Sequence, residues 1–478
     1  MAPIVTPPGT AVATLVIDLD DTLVRTDLLF EQILRLCKSN PRLVMRLPIW
    51  IIGGRAEFKR KLAEHVSLDP ARLPYRQPVV QLIKRARENG QRVVLASASH
   101  ERIVAQVAEH LGDFDDVIAT SSANLKGATK LKAIEDHVAG KPFVYAGDSS
   151  ADLVIWQRSA QAIAINPSPS VARRLAKVGV PHEVVRDRVP LIRPLIKQLR
   201  IHQWLKNILL FLPFLAAHHF RDWERWGLAA LAAAAFSLLA SAVYVMNDLL
   251  DVDSDRAHHA KSKRPFASGD LPLKVGFLLM PLLLGAASLL AGSLDGLTQA
   301  YLTLYFVLNV AYSLRLKEVV LVDTMTLAGF YTLRILAGGS ATSVPVSDWL
   351  LAFSIFFFFG LALVKRYTEL THGRGKATIA GRGYVYNDKQ TVFVNGIASS
   401  YLAVLVSVLY LNGSNPEHRY TEPQYLWMLA PVLLYWSSRI WLLAQRGEVH
   451  DDPVIFAIKD PVSWMCALVV FGILALAI

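Results

Sequence analysis

Cysteine is nearly absent: in 478 residues only Cys37 and Cys466 occur, which leaves no disulfide framework and no cysteine-rich metal site. Charge is also scarce, 19% of residues against 53% that are apolar. That balance excludes a disordered chain and an ordinary water-soluble one. Yet a mean hydropathy of +0.35 is too low for a chain that lies in the membrane from end to end, so two kinds of sequence are joined. The opening MAPIVTPPGT lacks a basic flank and a sustained apolar stretch, and no cleavable signal peptide is expected. No basic patch is interleaved with aromatics, so no nucleic acid partner is expected. What is in excess is positive charge, 50 Lys and Arg against 39 Asp and Glu. It points to anionic partners such as lipid headgroups and phosphates.

The first part reads as alternating strands and helices. Ala11–Ile17, Gln91–Ala96, Phe143–Ala146 and Ala162–Ile165 are short apolar runs of strand type. A helical, basic stretch separates the first two, and the expected architecture is an α/β doubly wound parallel sheet. Ligands of such sheets bind beyond the carboxyl ends of the strands. Asp18 and Asp20, Ser97, and Asp148 fall at those ends, and Lys130 opens a helix after Gly127. Carboxylates two apart repel unless a divalent cation joins them and bridges to a phosphate. Asp18 can then attack phosphorus, with Asp20 as proton donor and acceptor. Ser97 and Lys130 would hold phosphate oxygens, with Lys132 as the alternative lysine, and Asp148 would complete the metal shell.

With DLDDT at 18–22, Ser97, Lys130 and GDSSAD at 147–152 in this order, this part resembles the haloacid-dehalogenase (HAD) superfamily of phosphohydrolases. The resemblance implies a Rossmannoid sheet with a helical cap at about 24–90, of the phosphoserine-phosphatase type, within a domain at 1–189. It also implies Mg²⁺ held by Asp18, Asp148 and the Asp20 carbonyl, with Asp152 as a supporting partner. The apolar stretch Leu43–Ile52 is expected to be a buried cap helix rather than a bilayer contact.

From 190 to 478 the chain changes character. Nine apolar runs of bilayer length recur, at about 205–220, 227–247, 272–292, 297–314, 319–337, 347–364, 391–411, 425–444 and 462–478. An all-α polytopic membrane domain of about nine spans is expected. Basic residues favour one side. Arg256, Lys261, Lys263 and Arg264 follow the second run, Arg315 and Lys317 the fourth. Lys365, Arg366, Arg374, Lys376, Arg382 and Lys389 follow the sixth, and Arg446 and Lys459 the eighth. The opposite loops carry Arg221, Arg225 and Arg419. The richer side is therefore cytoplasmic. That puts the first domain in the cytoplasm and the chain in the inner membrane.

Asn247, Asp248, Asp251 and Asp255 end the second run. On one helix their spacing places all four on one face. Such a face at a membrane boundary is costly unless a cation joins the acids, and Mg²⁺ bound to a diphosphate meets that need. Lys261, Lys263 and Arg264 follow and could neutralise further phosphate charge. This stretch resembles the first aspartate-rich motif (NDxxDxxxD, then RP) of the UbiA superfamily of intramembrane transferases. The resemblance implies that these four residues bind Mg²⁺–diphosphate.

Where that family's aromatic prenyltransferases carry a second aspartate-rich motif, this chain has Lys365-Arg366-Tyr367-Thr368-Glu369-Leu370. Bases opposite one acidic cluster suit a substrate with extra phosphates. Together with RIHQWLKN at 200–207, YSLRLK at 312–317, Asp323, Arg334 and DPVIFAIKD at 452–460, this resembles the polyprenyl-phosphate phosphoribosyltransferases. The implied donor is phosphoribosyl diphosphate and the acceptor a polyprenyl lipid phosphate. Lys261, Arg264, Lys365 and Arg366 are the expected phosphate contacts, and Asp323 would orient the ribose or a basic partner. The alternative is transfer of a prenyl group from prenyl diphosphate to an aromatic or other small acceptor. A transporter or a mere membrane tether would leave the acidic face unexplained.

Overall fold

A computed structural model describes residues 13–121, 124–372, 382–413, 420–449 and 452–478. Ala11 and Val12 of the first expected strand, the MAPIVTPPGT segment, and Arg374, Lys376 and Arg419 lie outside the described residues. The chain forms two compact units: Met1–Leu199 with Tyr244–Met280, and Arg200–Val243 with Pro281–Ile478.

The first unit is built on β1 (Thr14–Asp18), β2 (Val93–His100), β3 (Asp116–Thr120), β4 (Phe143–Gly147), β5 (Gln161–Ile165) and β6 (His182–Val185). They form a parallel sheet in the order β3-β2-β1-β4-β5-β6. Between β1 and β2 come α1 (Leu28–Ser39), α2 (Pro41–Val44), α3 (Leu47–Ile52), α4 (Arg55–His65) and α5 (Gln77–Glu88). Then α6 (Glu101–Leu111), α7 (Ala128–Val138), α8 (Leu153–Trp156) and α9 (Pro169–Ala176) alternate with strands, and α10 (Ile192–Leu199) follows. The central strands are near-continuous aliphatic runs because both their faces are covered. Leu15, Ile17 and Leu95 pack with Ile83 and Val104 in one core, and Val16, Val94 and Tyr145 with Trp156 and Leu175 in another. Strand order reverses between the parallel neighbours β1 and β4, β2 and β3 being added on one side and β5 and β6 on the other, so the crevice at their carboxyl ends is a switch point.

Several local expectations change. β3 and β6 were not legible: DVIAT opens on an exposed Asp116, and HEVV is a half-exposed edge. β2 continues through Ser97 to His100, because pairing with β3 resumes at His100 after a slip in register. Ser97 therefore sits inside a strand rather than at its end. Leu43–Ile52 is not a buried cap helix. Pro48, at the start of α3, divides it between the end of α2 and the six-residue α3, pieces too short for an amphipathic face to form. Trp50 turns inward onto Leu36, Phe58 and Leu62, while Met45, Ile49, Ile51 and Ile52 are exposed, Ile52 at 85%.

The remaining helices are α11 (Leu212–Ala216), α12 (Trp223–Leu250), α13 (Val252–Arg256), α14 (Leu273–Ala291), α15 (Gly296–Leu314), α16 (Val322–Ala341), α17 (Asp348–His372), α18 (Lys389–Gly413), α19 (Leu429–Arg446), α20 (Pro453–Lys459) and α21 (Pro461–Ala477). Among the described residues five helical segments are long and apolar enough to cross a bilayer: Trp223–Leu250, Leu273–Ala291, Asp348–Thr371, Tyr386–Leu411 and Pro423–Arg446. The pair α20 and α21, bent by 82°, makes a sixth if taken as one span. α15 and α16 are 19 and 20 residues long but fall outside that set. The run expected first, 205–220, is instead a 3-10 helix over Ile201–Phe211 followed by the five-residue α11. It presses so close to α16 that a Cβ on Gly338 would lie 2.1 Å from the Leu210 carbonyl oxygen.

Candidate functional site

The crevice of the first unit is assembled from the ends of β1, β2 and β4. After Asp18 the chain kinks, with Asp20 extended and Asp21 at φ 54°. Asp18 Oδ1 accepts from Leu19 N and pairs with Lys130 Nζ, both at 2.8 Å. Lys130 is buried in the first turn of α7, whereas Lys132 is exposed. Asp20 Oδ1 accepts from Leu28 N at 2.8 Å, and its Oδ2 accepts from Ser97 Oγ at 3.2 Å and Ser99 Oγ at 2.8 Å. The two serines, two apart on a strand, share a face. Asp152 is saturated. It accepts from Tyr145 OH (2.9 Å), Asp148 N (3.2 Å), Ser149 N (2.9 Å) and Ser149 Oγ (2.8 Å). It thereby ties down the loop that carries Asp148.

One oxygen each from Asp18, Asp148 and Asp152 lies within 4.8 Å of the others. Burial pushes the Asp18 carboxyl up to about 7 although Lys130 opposes it, and pushes Asp148 up to about 8 with the help of Asp18 and Asp152. Burial also raises Asp20 to about 6, aided by the Asp27 charge. Buried carboxylates that repel one another this way are a donor set that fits a divalent cation.

The aspartate-rich segment is arranged differently. α12 ends at Leu250, Asp251 leaves helical geometry (φ −98°, ψ 8°), and α13 restarts at Val252. Asp248 and Asp255, both buried, converge on Arg264 Nη1 at 2.9 and 2.7 Å. Asp248 also accepts from Gln198 Nε2 at 2.9 Å. Asp251 instead meets Lys38 at 2.9 Å. Asn247 Oδ1 is buried without a hydrogen-bond partner, an acceptor that a cation at this segment would satisfy. Asp251 on one side and Asp248 with Asp255 on the other are drawn to different cations, and the four expected ligands do not meet at one point. Among the described residues the Asp18–Asp148–Asp152 group is the one acidic triad close enough to share a cation. Lys261 is exposed on a short 3-10 turn.

The second unit holds its own charged cluster. Arg366, fully buried, donates to Asp323 Oδ2 at 2.5 Å and also pairs with Glu369. Tyr384 OH donates to Asp323 Oδ1 at 2.7 Å, and Arg382 donates to Tyr312 OH at 2.6 Å. Lys365, its neighbour on α17, turns elsewhere: it and Lys206 each reach Asp452 Oδ2 at 3.2 Å. Their charges outweigh burial and hold the Asp452 carboxyl down at about 2. Arg334, buried inside α16, donates to Asn207 Oδ1 at 2.7 Å and Tyr305 OH at 3.0 Å.

Sequence reasoning passed over Ser99, Lys59 and Tyr384. Lys59 Nζ, on α4, donates to Ala98 O at 2.5 Å and Asn124 Oδ1 at 2.8 Å. Ser99 carried a signal, the two-residue step from Ser97 along one strand face. Lys59 and Tyr384 carried none, since neither belongs to a spaced motif.

Comparison with known proteins bears on both units. Residues 208–459 match the UbiA prenyltransferase family, and residues 15–155 match the haloacid dehalogenase-like hydrolases. The chain is 34% identical to uncharacterized protein y4nM of Sinorhizobium fredii, across 97% of this chain and 90% of that one. It is 34% identical to nodulation protein NoeC of Azorhizobium caulinodans, over 56% of this chain and 88% of the relative. The decaprenyl-phosphate phosphoribosyltransferase of Mycolicibacterium smegmatis is likewise 34% identical, over 60% of this chain and 93% of its own length.

Proposed function

Because the chain belongs to the UbiA prenyltransferase family and carries a haloacid dehalogenase-like hydrolase domain, it is a multi-pass membrane enzyme, and we propose that it makes and then dephosphorylates a phosphoribosyl lipid. The donor in this reading is phosphoribosyl diphosphate and the acceptor a polyprenyl phosphate, the substrates suggested by the name of the mycobacterial relative. The observation that carries the reading is that one compact unit holds both a buried three-carboxylate crevice and the Asn247–Asp255 segment. Hydrolase residues span 1–189 and transferase residues 190–478, the latter crossing the inner membrane several times with the hydrolase on the cytoplasmic side.

Asp18, Asp148 and the Asp20 carbonyl would hold magnesium in one site, and Asn247, Asp248, Asp251 and Asp255 would hold it in the other once Arg264 and Lys38 release the acids; in both it would neutralise phosphate charge. In the transferase the lipid phosphate oxygen forms a bond to the anomeric carbon as the bond to diphosphate breaks. An anionic phosphate needs no general base. Lys261, Arg264, Lys365 and Arg366 take phosphate charge, which is electrostatic catalysis. Asp323 fixes Arg366 for that task. In the hydrolase Asp18 attacks the ribose phosphate and Asp20 protonates the departing ribose oxygen. Asp20 then takes a proton from the water that frees Asp18. Ser97 and Lys130 hold the phosphoryl oxygens. The exposed Met45, Ile49, Ile51 and Ile52, flanked by exposed Arg42, Arg46 and Arg55, support a hydrolase that works at an anionic bilayer surface. Tethering raises its effective concentration for a product confined to the membrane.

The test is incubation of purified protein in lipid with labelled phosphoribosyl diphosphate, polyprenyl phosphate and Mg²⁺. Ribose label should enter the lipid fraction, and phosphate should follow only where Asp18 is intact. Label entering a small acceptor from a prenyl diphosphate instead would replace this reading with the aromatic prenyltransferase one.

A further inference from the structure

α1 touches both acidic sites of the first unit. At its first turn Leu28 N donates to Asp20, and Asp27 caps the helix by accepting from Leu29 N. Along its side Glu31, Arg35 and Lys38 stand at i, i+4 and i+7 and share a face. Each meets an opposite charge of the aspartate-rich segment. Glu31 holds Arg256 through two bonds of 2.6 and 3.1 Å, Arg35 holds Asp253 at 2.7 Å, and Lys38 holds Asp251 at 2.9 Å. The first pair is closed to solvent, with Glu31 2% and Arg256 5% exposed. Arg256 Nε also donates to Ala267 O at 3.0 Å, bracketing the loop whose Arg264 bridges Asp248 and Asp255. Further contacts press the same two stretches together. Arg25 pairs with Asp270 at 3.4 Å, Lys274 with Asp21 at 3.4 Å, and the Phe30 and Phe277 rings lie 5.2 Å apart. Gly269, at φ +74°, is needed because a Cβ there would lie 2.5 Å from Arg25 Cβ.

Burying an Arg–Glu pair costs more desolvation than burying apolar side chains of the same size, so it specifies register better than it adds cohesion. Three charges, one acidic and two basic, each matched to a partner of opposite sign, fix how α1 and the 251–256 backbone meet. We propose that Glu31 and Arg35, on a helix of the hydrolase, are positioning residues for the diphosphate–metal site of the transferase. The inference rests on the transferase reading given above. α1 is then an element shared by both reactions, its first turn holding Asp20 and its side holding the segment that carries Asp251 and Asp255.

The test measures binding of Mn²⁺ with inorganic pyrophosphate to the full-length protein in lipid nanodiscs, in an Asp148→Asn background that silences the hydrolase metal site. Arg35→Glu and Asp253→Arg should each weaken that binding by about tenfold, as loss of a partner behind metal ligands does. The double exchange should restore it to within about twofold, and Arg35→Lys should keep most of it. In protein with Asp148 intact, hydrolysis of p-nitrophenyl phosphate should be unchanged by these exchanges and reports folding. Should Arg35→Glu abolish that hydrolysis, Arg35→Gln carries the same expectation at about threefold. The proposal is overturned if every Arg35 variant binds within twofold of the parent, or if the double exchange is as weak as the singles. If Asp248→Ala does not weaken the parent's binding, it is the transferase reading that falls.

Discussion

The two acidic sites of the first unit solve the same electrostatic problem in opposite ways. In the crevice, Asp18, Asp148 and Asp152 are brought within 4.8 Å of one another, with Lys130 as the paired cation. At that separation each pair of charges repels by about 3 kcal/mol at an effective dielectric of 20, which the packing of the sheet must hold in place. In the aspartate-rich segment every acid is paired with a cation: Asp248 and Asp255 share Arg264, Lys38 meets Asp251 and Arg35 meets Asp253. The first site is preorganised for a cation by the fold. The second is a set of latches between charged groups, which the proposed diphosphate and its metal would have to exchange.

The sharpest way to break this comparison is to disable one site and read the other. Asp18→Asn should lower phosphate release by about 10⁴-fold, as loss of an attacking group does, and leave lipid labelling intact. Asp248→Ala should lower lipid labelling by about 10³-fold, in line with loss of a group that stabilises departing charge, and leave p-nitrophenyl phosphate hydrolysis unchanged. A variant that lowers both reactions equally would mean that the sites work as one.

What could be read from the sequence follows the same division. Asp18 and Asp20 lie at and just past the end of β1, Ser97 in the last half of β2, Asp148 just past β4 and Lys130 at the start of α7. The doubly wound topology brings those ends together whatever the loops do, so a linear pattern predicts a three-dimensional cluster. The aspartate-rich segment was legible as a motif but not as a geometry. Its spacing assumed one unbroken helix, and the chain leaves helical geometry at Asp251. The partners of its acids were hidden as well. Glu31 and Arg256 are 225 positions apart, and Lys38 and Asp251 213, and nothing in either local pattern announces the other. The Leu43–Ile52 stretch has the apolar composition of a buried helix, but Pro48 divides it and Met45, Ile49, Ile51 and Ile52 face outward.

A smaller effect sharpens the contrast through pH. The carboxyls of Asp18 and Asp148 are raised from 3.8 to about 7 and about 8. Between pH 4 and 8 the folded chain therefore binds more protons there than the unfolded chain. Stability from these groups is present at low pH and is lost as pH rises through the folded values. Without divalent metal the melting temperature should fall between pH 5 and 8, on the order of 5 °C. Asp148→Asn should flatten that slope, and Mg²⁺ should raise the melting temperature more at pH 8 than at pH 5. Equal stabilisation by Mg²⁺ at both values would mean that the crevice carboxyls are not where the cation binds.

The smallest effect concerns the cap rather than the acids. Replacing Ile49 and Ile52 with Ser removes exposed apolar surface without touching the crevice, and at exposed positions it should leave stability within about 0.5 kcal/mol. If that face meets the bilayer, the loss of apolar burial reduces the time the crevice spends at the membrane surface. Phosphate release from the phosphoribosyl lipid should then fall by about three- to tenfold, while hydrolysis of water-soluble p-nitrophenyl phosphate stays constant. A parallel fall with both substrates would place the defect in the crevice. No fall with either would mean that the hydrolase reaches its lipid substrate through the tether alone.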